Sequence, residues 1–379
     1  MSLNDTLDAT RDRLLERAAP DRAAFEDLVI VPIFAFAVAL ILGAITMLAT
    51  GVDLPTIGRS YQALVQGSVG SVSALSETLV AAIPLVLAAL GLAIGFRTGL
   101  FNIGAEGQIV MGGLAAVIFG FTFDTLPFAV LLPLSLLAGA LTGAFYASIA
   151  GWLRAATGAH EVISTIMLNL ISYRLLDYML SLSWVQREGR NDPVSQSVPQ
   201  AAELPRLLTW LDPNLRLHAG VFVMLLAVAL VYWLLFRAKL GFEFRASGAS
   251  PDAARYAGMR ASLIIVLAMA FAGALAGLAG ANQVLGVLGR ASPGFSAGIG
   301  FDAIAVALLG RSHPVGVLFA GLLFGALQAG GRQMQVDAGV GIDLIGIIQA
   351  LIIVFIAAPL LVRAIFPWGF RSHPDGGGG

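Results

Sequence analysis

Apolar segments of about 18–25 residues recur along this chain and leave it few possible folds. A helix of about 20 apolar residues crosses roughly 30 Å of hydrocarbon, because it rises about 1.5 Å per residue. We therefore predict an all-α fold, a polytopic membrane bundle of about ten segments, of which the eighth is too short to span fully. The predicted segments are 29–50, 77–96, 105–121, 127–150, 161–181, 217–236, 262–282, 299–310, 314–331 and 341–363.

The composition fits a membrane protein and limits the chemistry available to it. Hydrophobic residues make up 58% of the chain and charged residues 12%, whereas soluble domains carry roughly 25% charged residues. The net charge of -1 argues against a nucleic-acid partner. Because the chain has no cysteine and only four scattered histidines, we expect no disulfide and no metal site. The single lysine, Lys239, lies outside any G-x-x-x-x-G-K-[ST] loop, so we expect no ATPase site and no cofactor in this chain.

Residues 237–260 form the most polar island between two long apolar runs. Their basic side chains favour the cytoplasmic side of the membrane, and the segment count then places both termini on that side. The island also contains the signals of a short helix: an N-cap, a proline at the first helical position, an early acidic residue and a final glycine. The residues of this predicted helix are Ser250, Pro251, Asp252, Ala253, Ala254, Arg255, Tyr256 and Gly258. The sequence leaves open whether it is a solvated loop or a rigid helix offered to a partner.

Two glycine-rich breaks place polar groups close to apolar segments. The first, 96–113, carries Asn102, Glu106 and Gln108, and the second, 289–316, carries Asp302 at the start of a short apolar helix. A carboxylate within the membrane costs roughly 2.5–3.5 kcal/mol on insertion scales, so Glu106 should face protein or water. Such breaks either complete helix ends or line a path through the bundle, since unwound backbone is tolerated at depth only in those settings.

Polar residues elsewhere admit two interpretations each. Asn169, near the middle of its segment, predicts either an interhelical hydrogen bond or a path-lining group. Arg174 and Asp177 are spaced for an ion pair on one helix face, which we interpret as structural. The long stretch 182–216, rich in proline, is either a lid anchored by tryptophans or a docking platform for another protein. The small residues of 271–281 predict close helix packing.

Four phrases in this sequence resemble one known family. They are G-x-x-x-R-A-x-G-x-x-x-x-A-A-R-Y-A-G from Gly241, F-N-I-G-A-E-G-Q from Phe101, E-V-I-S-T-x-M-L-N from Glu161 and F-D-A-I-A-V-A-L-L-G from Phe301. Together they resemble permease subunits of bacterial ABC importers, in the nucleoside-type branch of the ribose and branched-chain amino acid permease family. The resemblance covers roughly residues 77–360.

The resemblance implies an importer made of several subunits. It implies nucleoside import, or import of a sugar such as ribose, across the bacterial cytoplasmic (inner) membrane. It also implies a separate ABC ATPase that holds ATP and Mg²⁺, an extracytoplasmic substrate-binding protein and a second related permease, identical or not. In the family, the loop that corresponds to residues 237–260 binds in a groove of the ATPase subunit. Residues 28–364 would form the permease domain, 1–27 a cytoplasmic tail or interfacial helix, and 365–379 a cytoplasmic tail.

The expected substrate path combines depth, polarity and position in these phrases. The residues we expect to line it are Asn102, Glu106, Gln108, Asn169, Phe301 and Asp302. An ion-coupled secondary transporter would explain the buried carboxylates equally well, but it would not need the helix at 250–258. An intramembrane enzyme has little support, because no metal set or serine-centred constellation stands out.

Overall fold

The computed structural model describes residues 31–357. The predicted tails at 1–27 and 365–379, and the outer ends of the first and last predicted segments, lie outside this range. Between residues 31 and 357 the regular structure is helical, apart from two isolated β-bridges. The helices are α1 Val31–Ala49, α2 Leu54–Val69, α3 Val72–Arg97, α4 Ala105–Thr122, α5 Phe128–Thr157, α6 Glu161–Ser181, α7 Gly220–Arg237, α8 Lys239–Ala249, α9 Pro251–Tyr256, α10 Ala261–Gln283, α11 Ile299–Leu309, α12 Pro314–Ala338 and α13 Ile342–Ala357.

Within residues 31–357, each predicted apolar segment coincides with a helix. Within the described residues, six helices are long and apolar enough to cross a membrane: α3, α4, α5, α7, α10 with its extension to Leu288, and α12. The short eighth segment is confirmed as the 11-residue helix α11. The sequence did not predict α2 or α8. Both are weakly apolar helices, so hydropathy does not reveal them.

The chain divides into two compact units. In the described part of the first, which holds residues up to Tyr61 and from Met334 onward, α1 packs along α13. There the Tyr61 hydroxyl donates to the Leu40 carbonyl oxygen at 2.5 Å. The second unit, 62–333, contains both glycine-rich breaks and the polar island. Its core is α10, which packs on α3, α4 and α5.

The small residues of α10 permit this packing, as the sequence predicted. Gly277 lies against the backbone of Gly139 and Gly143 on α5, and Gly280 lies against Ile109 on α4. A methyl group at Gly277 would overlap the Gly139 carbonyl oxygen. Backbones can approach this closely only where no Cβ intervenes.

Replacing Gly277 by alanine should therefore destabilise the bundle. The added methyl group forces α5 and α10 apart, and overpacking of this kind costs typically 1–3 kcal/mol. We expect a lower melting temperature for the detergent-solubilised protein. Gly346→Ala on α13 is the matched control, because a Cβ there meets no described atom of residues 31–357 within 4 Å. Equal melting temperatures for G277A and G346A would contradict the close packing described here.

Candidate functional site

Glu106 joins the two glycine-rich breaks. It lies in the first turn of α4, and its side chain is buried. One carboxylate oxygen accepts hydrogen bonds from the Ser296 hydroxyl at 2.5 Å and from the Gly298 amide at 3.2 Å. The other accepts from the Gly300 amide at 2.7 Å. Because Gly298 and Gly300 begin α11, the carboxylate satisfies the free amides of that helix and lies at the positive end of its dipole.

Glycine residues allow the two breaks to pack this closely. Gly298 is the N-cap of α11 and has φ 79°, in the left-handed region that favours glycine. A Cβ on Gly300 would overlap the backbone of Glu106. The sequence predicted both glycine-rich breaks but not that they touch. The run of Gly and Ser residues before Phe301 was the available signal.

The amide side chains beside Glu106 are bonded to one another and to the backbone of the first break. Asn102 and Gln108 exchange two hydrogen bonds, at 3.1 and 3.2 Å. Asn102 also accepts from the Gly104 amide at 2.8 Å. Asn169 on α6 accepts from the Gly107 amide at 2.8 Å and donates to the Ile103 carbonyl at 2.9 Å. The network fixes the irregular backbone that leads into α4.

The six residues predicted to contact substrate thus fall into two groups. Asn102, Glu106, Gln108 and Asn169 are buried together at the start of α4. The remaining two lie on α11: Phe301 is 46% exposed, while Asp302 is partly buried and accepts from Gln328 of α12 at 3.0 Å. Contact with substrate remains a prediction for all six. The bonding partners Ser296, Gly298, Gly300 and Gln328 were not among the predicted site residues.

The predicted short helix in the polar island is confirmed as α9. Ser250 caps it by accepting from the Ala253 amide at 3.3 Å, Pro251 occupies the first helical position, and Gly258 follows with φ 82°. Ala254 is buried, whereas Tyr256 is 98% exposed. Asp252 and Arg255 form an exposed pair at 3.6 Å. The result is a rigid helix that holds one large aromatic side chain away from the bundle.

The helix before α9 ties the polar island to the bundle. Gly248 at the end of α8 packs against the backbone of Arg97 and Gly99, so closely that a Cβ would overlap the Arg97 carbonyl. Arg97 in turn donates to the carbonyl oxygens of Ser312 and Arg311, at 3.1 and 3.3 Å. These two carbonyls belong to the turn that follows α11. Displacement of α8 would therefore act on α3 and on the turn after α11.

A cation–π cluster joins the same elements. The guanidinium carbons of Arg245 on α8 and of Arg97 on α3 lie 5.3 and 6.0 Å from the centroid of the Phe236 ring. His313, in the turn before α12, packs against that ring with centroids 5.2 Å apart and the ring planes tilted by 36°. Contacts of this type contribute about 0.5–1 kcal/mol at exposed sites and more when they are shielded from water.

The stretch 182–219, which we call the long loop, is tied to the segment after α10. The amides of Ser195, Val198 and Leu204 donate to carbonyl oxygens of residues 285–291 at 2.9–3.0 Å. Charged pairs order other parts of the loop. Arg216 pairs with Glu77 of α3, and Arg190 donates to Asp192 at 2.6 Å and holds the pKa of Asp192 below its usual range.

The buried polar breaks, the apolar helices and the capped helix α9 define a multi-pass membrane protein. Residues 74–357 match the family described as the permease component of branched-chain amino acid transport systems, and the chain belongs to this family.

Several relatives of this chain are named as ABC transporter permeases, in agreement with the family. The chain is 37% identical to the guanosine ABC transporter permease protein NupP of Bacillus subtilis, over 89% of this chain and 95% of the relative. It is 36% identical to the nucleoside ABC transporter permease protein NupB of Lactococcus lactis, over 89% and 93%. It is 37% identical to the glucose ABC transporter permease protein TsgB13 of Haloferax volcanii, over 86% of each. No solved structure gave a match. The chain is thus a permease component and resembles membrane subunits rather than ATPases.

Proposed function

We propose that this chain is the transmembrane permease of an ATP-driven importer that carries nucleosides into the cell. The observation that carries the proposal is the identity to the guanosine permease over nearly the full length of both chains. In this proposal ATP and Mg²⁺ bind a separate ATPase, which docks on α9 and moves α8. The long loop faces outward and meets an extracytoplasmic binding protein.

The helices and charges support the proposed topology. The bundle contributes about ten segments, counting α11 as a half-helix, with both termini on the cytoplasmic side of the bacterial inner membrane. Under this orientation α4 and α11 start near Glu106 and run in opposite directions. A substrate path that passes their shared start would lie where inverted halves of a transporter commonly meet.

A second, related permease completes the proposed pore. Bacillus subtilis has a second guanosine ABC transporter permease protein, NupQ, which is 27% identical to this chain. Lactococcus lactis likewise has the nucleoside permease NupC, at 27% identity. In each pair, one permease is more similar in sequence to this chain than the other. These pairs support a heterodimer over a pair of identical chains.

Uptake of labelled compounds by membrane vesicles tests the proposal. The vesicles contain the chain with its genomic-neighbour ATPase, permease and binding protein, and receive guanosine, adenosine, uridine, ribose or glucose. We expect ATP-dependent uptake of nucleosides with both sugars excluded. A matched complex in which the ATPase lacks its P-loop lysine should transport nothing.

Two outcomes would overturn the proposal in different ways. Uptake of glucose without nucleosides would favour the second candidate, a sugar permease, which rests on the equal identity to the Haloferax glucose permease. Nucleoside uptake that persists without ATP hydrolysis would indicate an ion-coupled secondary transporter, and α9 would then be an ordinary surface helix.

A further inference from the structure

A cleft of about 840 Å³ lies between the long loop and the end of α10. One wall is formed by residues 200–209 of the loop, and the other by residues 285–289, which include most of the π-helical turn that continues α10. Phe128, at the start of α5, contributes an aromatic ring that is 46% exposed. The volume falls in the range of small-molecule sites, which is about 300–1,000 Å³.

Two opposite charges line this cleft without partners. Neither Glu203 nor Arg206 forms a side-chain hydrogen bond or an ion pair with any residue between 31 and 357. Two other arginines of the long loop are paired, since Arg190 binds Asp192 and Arg216 binds Glu77. A free carboxylate and a free guanidinium can therefore accept and donate hydrogen bonds to a ligand in the cleft.

A third group of unpartnered polar atoms lies behind the wall. The His218 imidazole and the Asn282 amide are both 1% exposed. His218 Nε2 and both polar atoms of the Asn282 side chain lack a hydrogen-bond partner in the described structure. His218 Nδ1 accepts from the Gly220 amide at 3.2 Å, so the proton of the neutral ring is on Nε2. Two donors, His218 Nε2 and the Asn282 amide nitrogen, and one acceptor, the Asn282 amide oxygen, are therefore buried without a hydrogen-bond partner among the described residues.

Only a glycine separates the imidazole from the cleft at one point. Gly286 lines the cleft, and a Cβ built on it would meet the His218 ring. Gly286 belongs to the π-helical turn, a geometry that is rare and frequently occurs at functional sites. Native proteins seldom leave buried polar groups unpaired, and each such group requires an explanation. A small shift of this turn would offer His218 and Asn282 to a ligand in the cleft.

We infer that this cleft is a substrate subsite of the permease, and that it binds the nucleoside before the nucleoside enters the path toward Glu106. This inference rests on the proposed function. The Phe128 ring packs against the base, and Glu203 and Arg206 bond the hydroxyl groups of the ribose. The opposite charges favour a neutral, hydrogen-bonding ligand over an anion or a cation. His218 and Asn282 then receive the ligand when the turn moves.

Transport kinetics of the complete importer test the inference. Glu203→Gln and Arg206→Gln are compared with Glu188→Gln and Arg187→Gln, exposed residues of the same loop that do not line the cleft. We expect E203Q and R206Q each to raise the KM for guanosine about tenfold, which corresponds to about 1.4 kcal/mol, with little change in the maximal rate. The two control variants should keep the wild-type KM.

A second measurement separates ligand binding from protein docking. The affinity of the complex for its substrate-binding protein is measured for the same variants. Unchanged docking together with a raised KM supports the subsite. A loss of docking equal to the rise in KM would show that the cleft holds the binding protein and would overturn the inference. Inhibition of guanosine uptake by leucine in the wild type, lost in E203Q and R206Q, would also overturn it, because the cleft would then bind zwitterionic amino acids.

The subsite and the proposed function fail in distinguishable ways. Normal guanosine import by the wild type, combined with an unchanged KM in both cleft variants, overturns the subsite alone. Absence of nucleoside import by the wild type overturns the proposed function and the subsite together.

Discussion

Replacing Glu106 by alanine is expected to abolish uptake and to lower the melting temperature strongly. The substitution leaves the buried Ser296 hydroxyl, the buried Gly300 amide and the half-buried Gly298 amide without their acceptor. Each unsatisfied buried group costs about 1–3 kcal/mol, and the three together are large against the roughly 5–15 kcal/mol that stabilises a typical domain. Fluorescence-detected gel filtration after heating, together with uptake by vesicles, measures both effects.

Two further variants accompany E106A: the first tests the charge of Glu106, and the second is a control at another carboxylate. Glu106→Gln keeps the size of the side chain but turns one acceptor into a donor, so it should fall between the wild type and E106A. Glu188→Ala removes an exposed carboxylate of the long loop and should leave the melting temperature unchanged. Wild-type stability in E106A would show that the two glycine-rich breaks are not held together by this carboxylate.

The helices were predictable because membrane insertion imposes a length on apolar runs. Helices α3–α7 and α10–α12 could be placed from hydropathy, and α9 from Ser250, Pro251 and Gly258. Helix α8 was not predictable in this way, because Gly241 and Gly248 make it a poor helix former by propensity. Those glycines serve packing instead: each allows α8 to lie directly on the backbone of a neighbouring segment.

The candidate site was only half predictable, for a different physical reason. Depth and polarity identified Glu106, Asn102 and Asn169, since a polar group in a membrane must find a partner. Hydropathy carries no information about which partner it finds. The bond from Ser296 to Glu106 joins positions 190 residues apart, and only tertiary packing brings them together. Interhelical bonds of this kind contribute about 0.6–2 kcal/mol each. Because each bond joins two single residues, it leaves no periodic pattern in the sequence.

The two ends of α11 link the buried site to the polar island at 237–260. Its start is bonded to Glu106, and the turn after it is bonded to Arg97, against which α8 packs. A single short helix is therefore bonded to Glu106 at its start and is linked to α8 through Arg97 at its end. This arrangement gives a physical basis for the proposed coupling, because motion of α8 can reach Glu106 through few intermediate contacts.

Replacing Tyr256 by alanine should uncouple the permease from its ATPase without unfolding it. Tyr256 is 98% exposed at the end of α9, so its removal takes away almost no packing among residues 31–357. Exposed tyrosines on rigid helices are typical anchors of protein interfaces, where truncation costs 2 kcal/mol or more, or about 30-fold in affinity. We expect the melting temperature to stay constant, while uptake and co-purification of the ATPase fall at least tenfold.

The matched control is the same substitution at Tyr178, a 61% exposed tyrosine on α6 far from α9 in sequence. Y178A should retain wild-type co-purification of the ATPase. Ser250→Ala provides a second probe, because loss of the N-cap costs about 0.5–2 kcal/mol and loosens α9 without altering Tyr256. If Y256A and S250A both bind the ATPase normally, α9 does not dock the ATPase, and the ATPase must engage another part of the cytoplasmic surface.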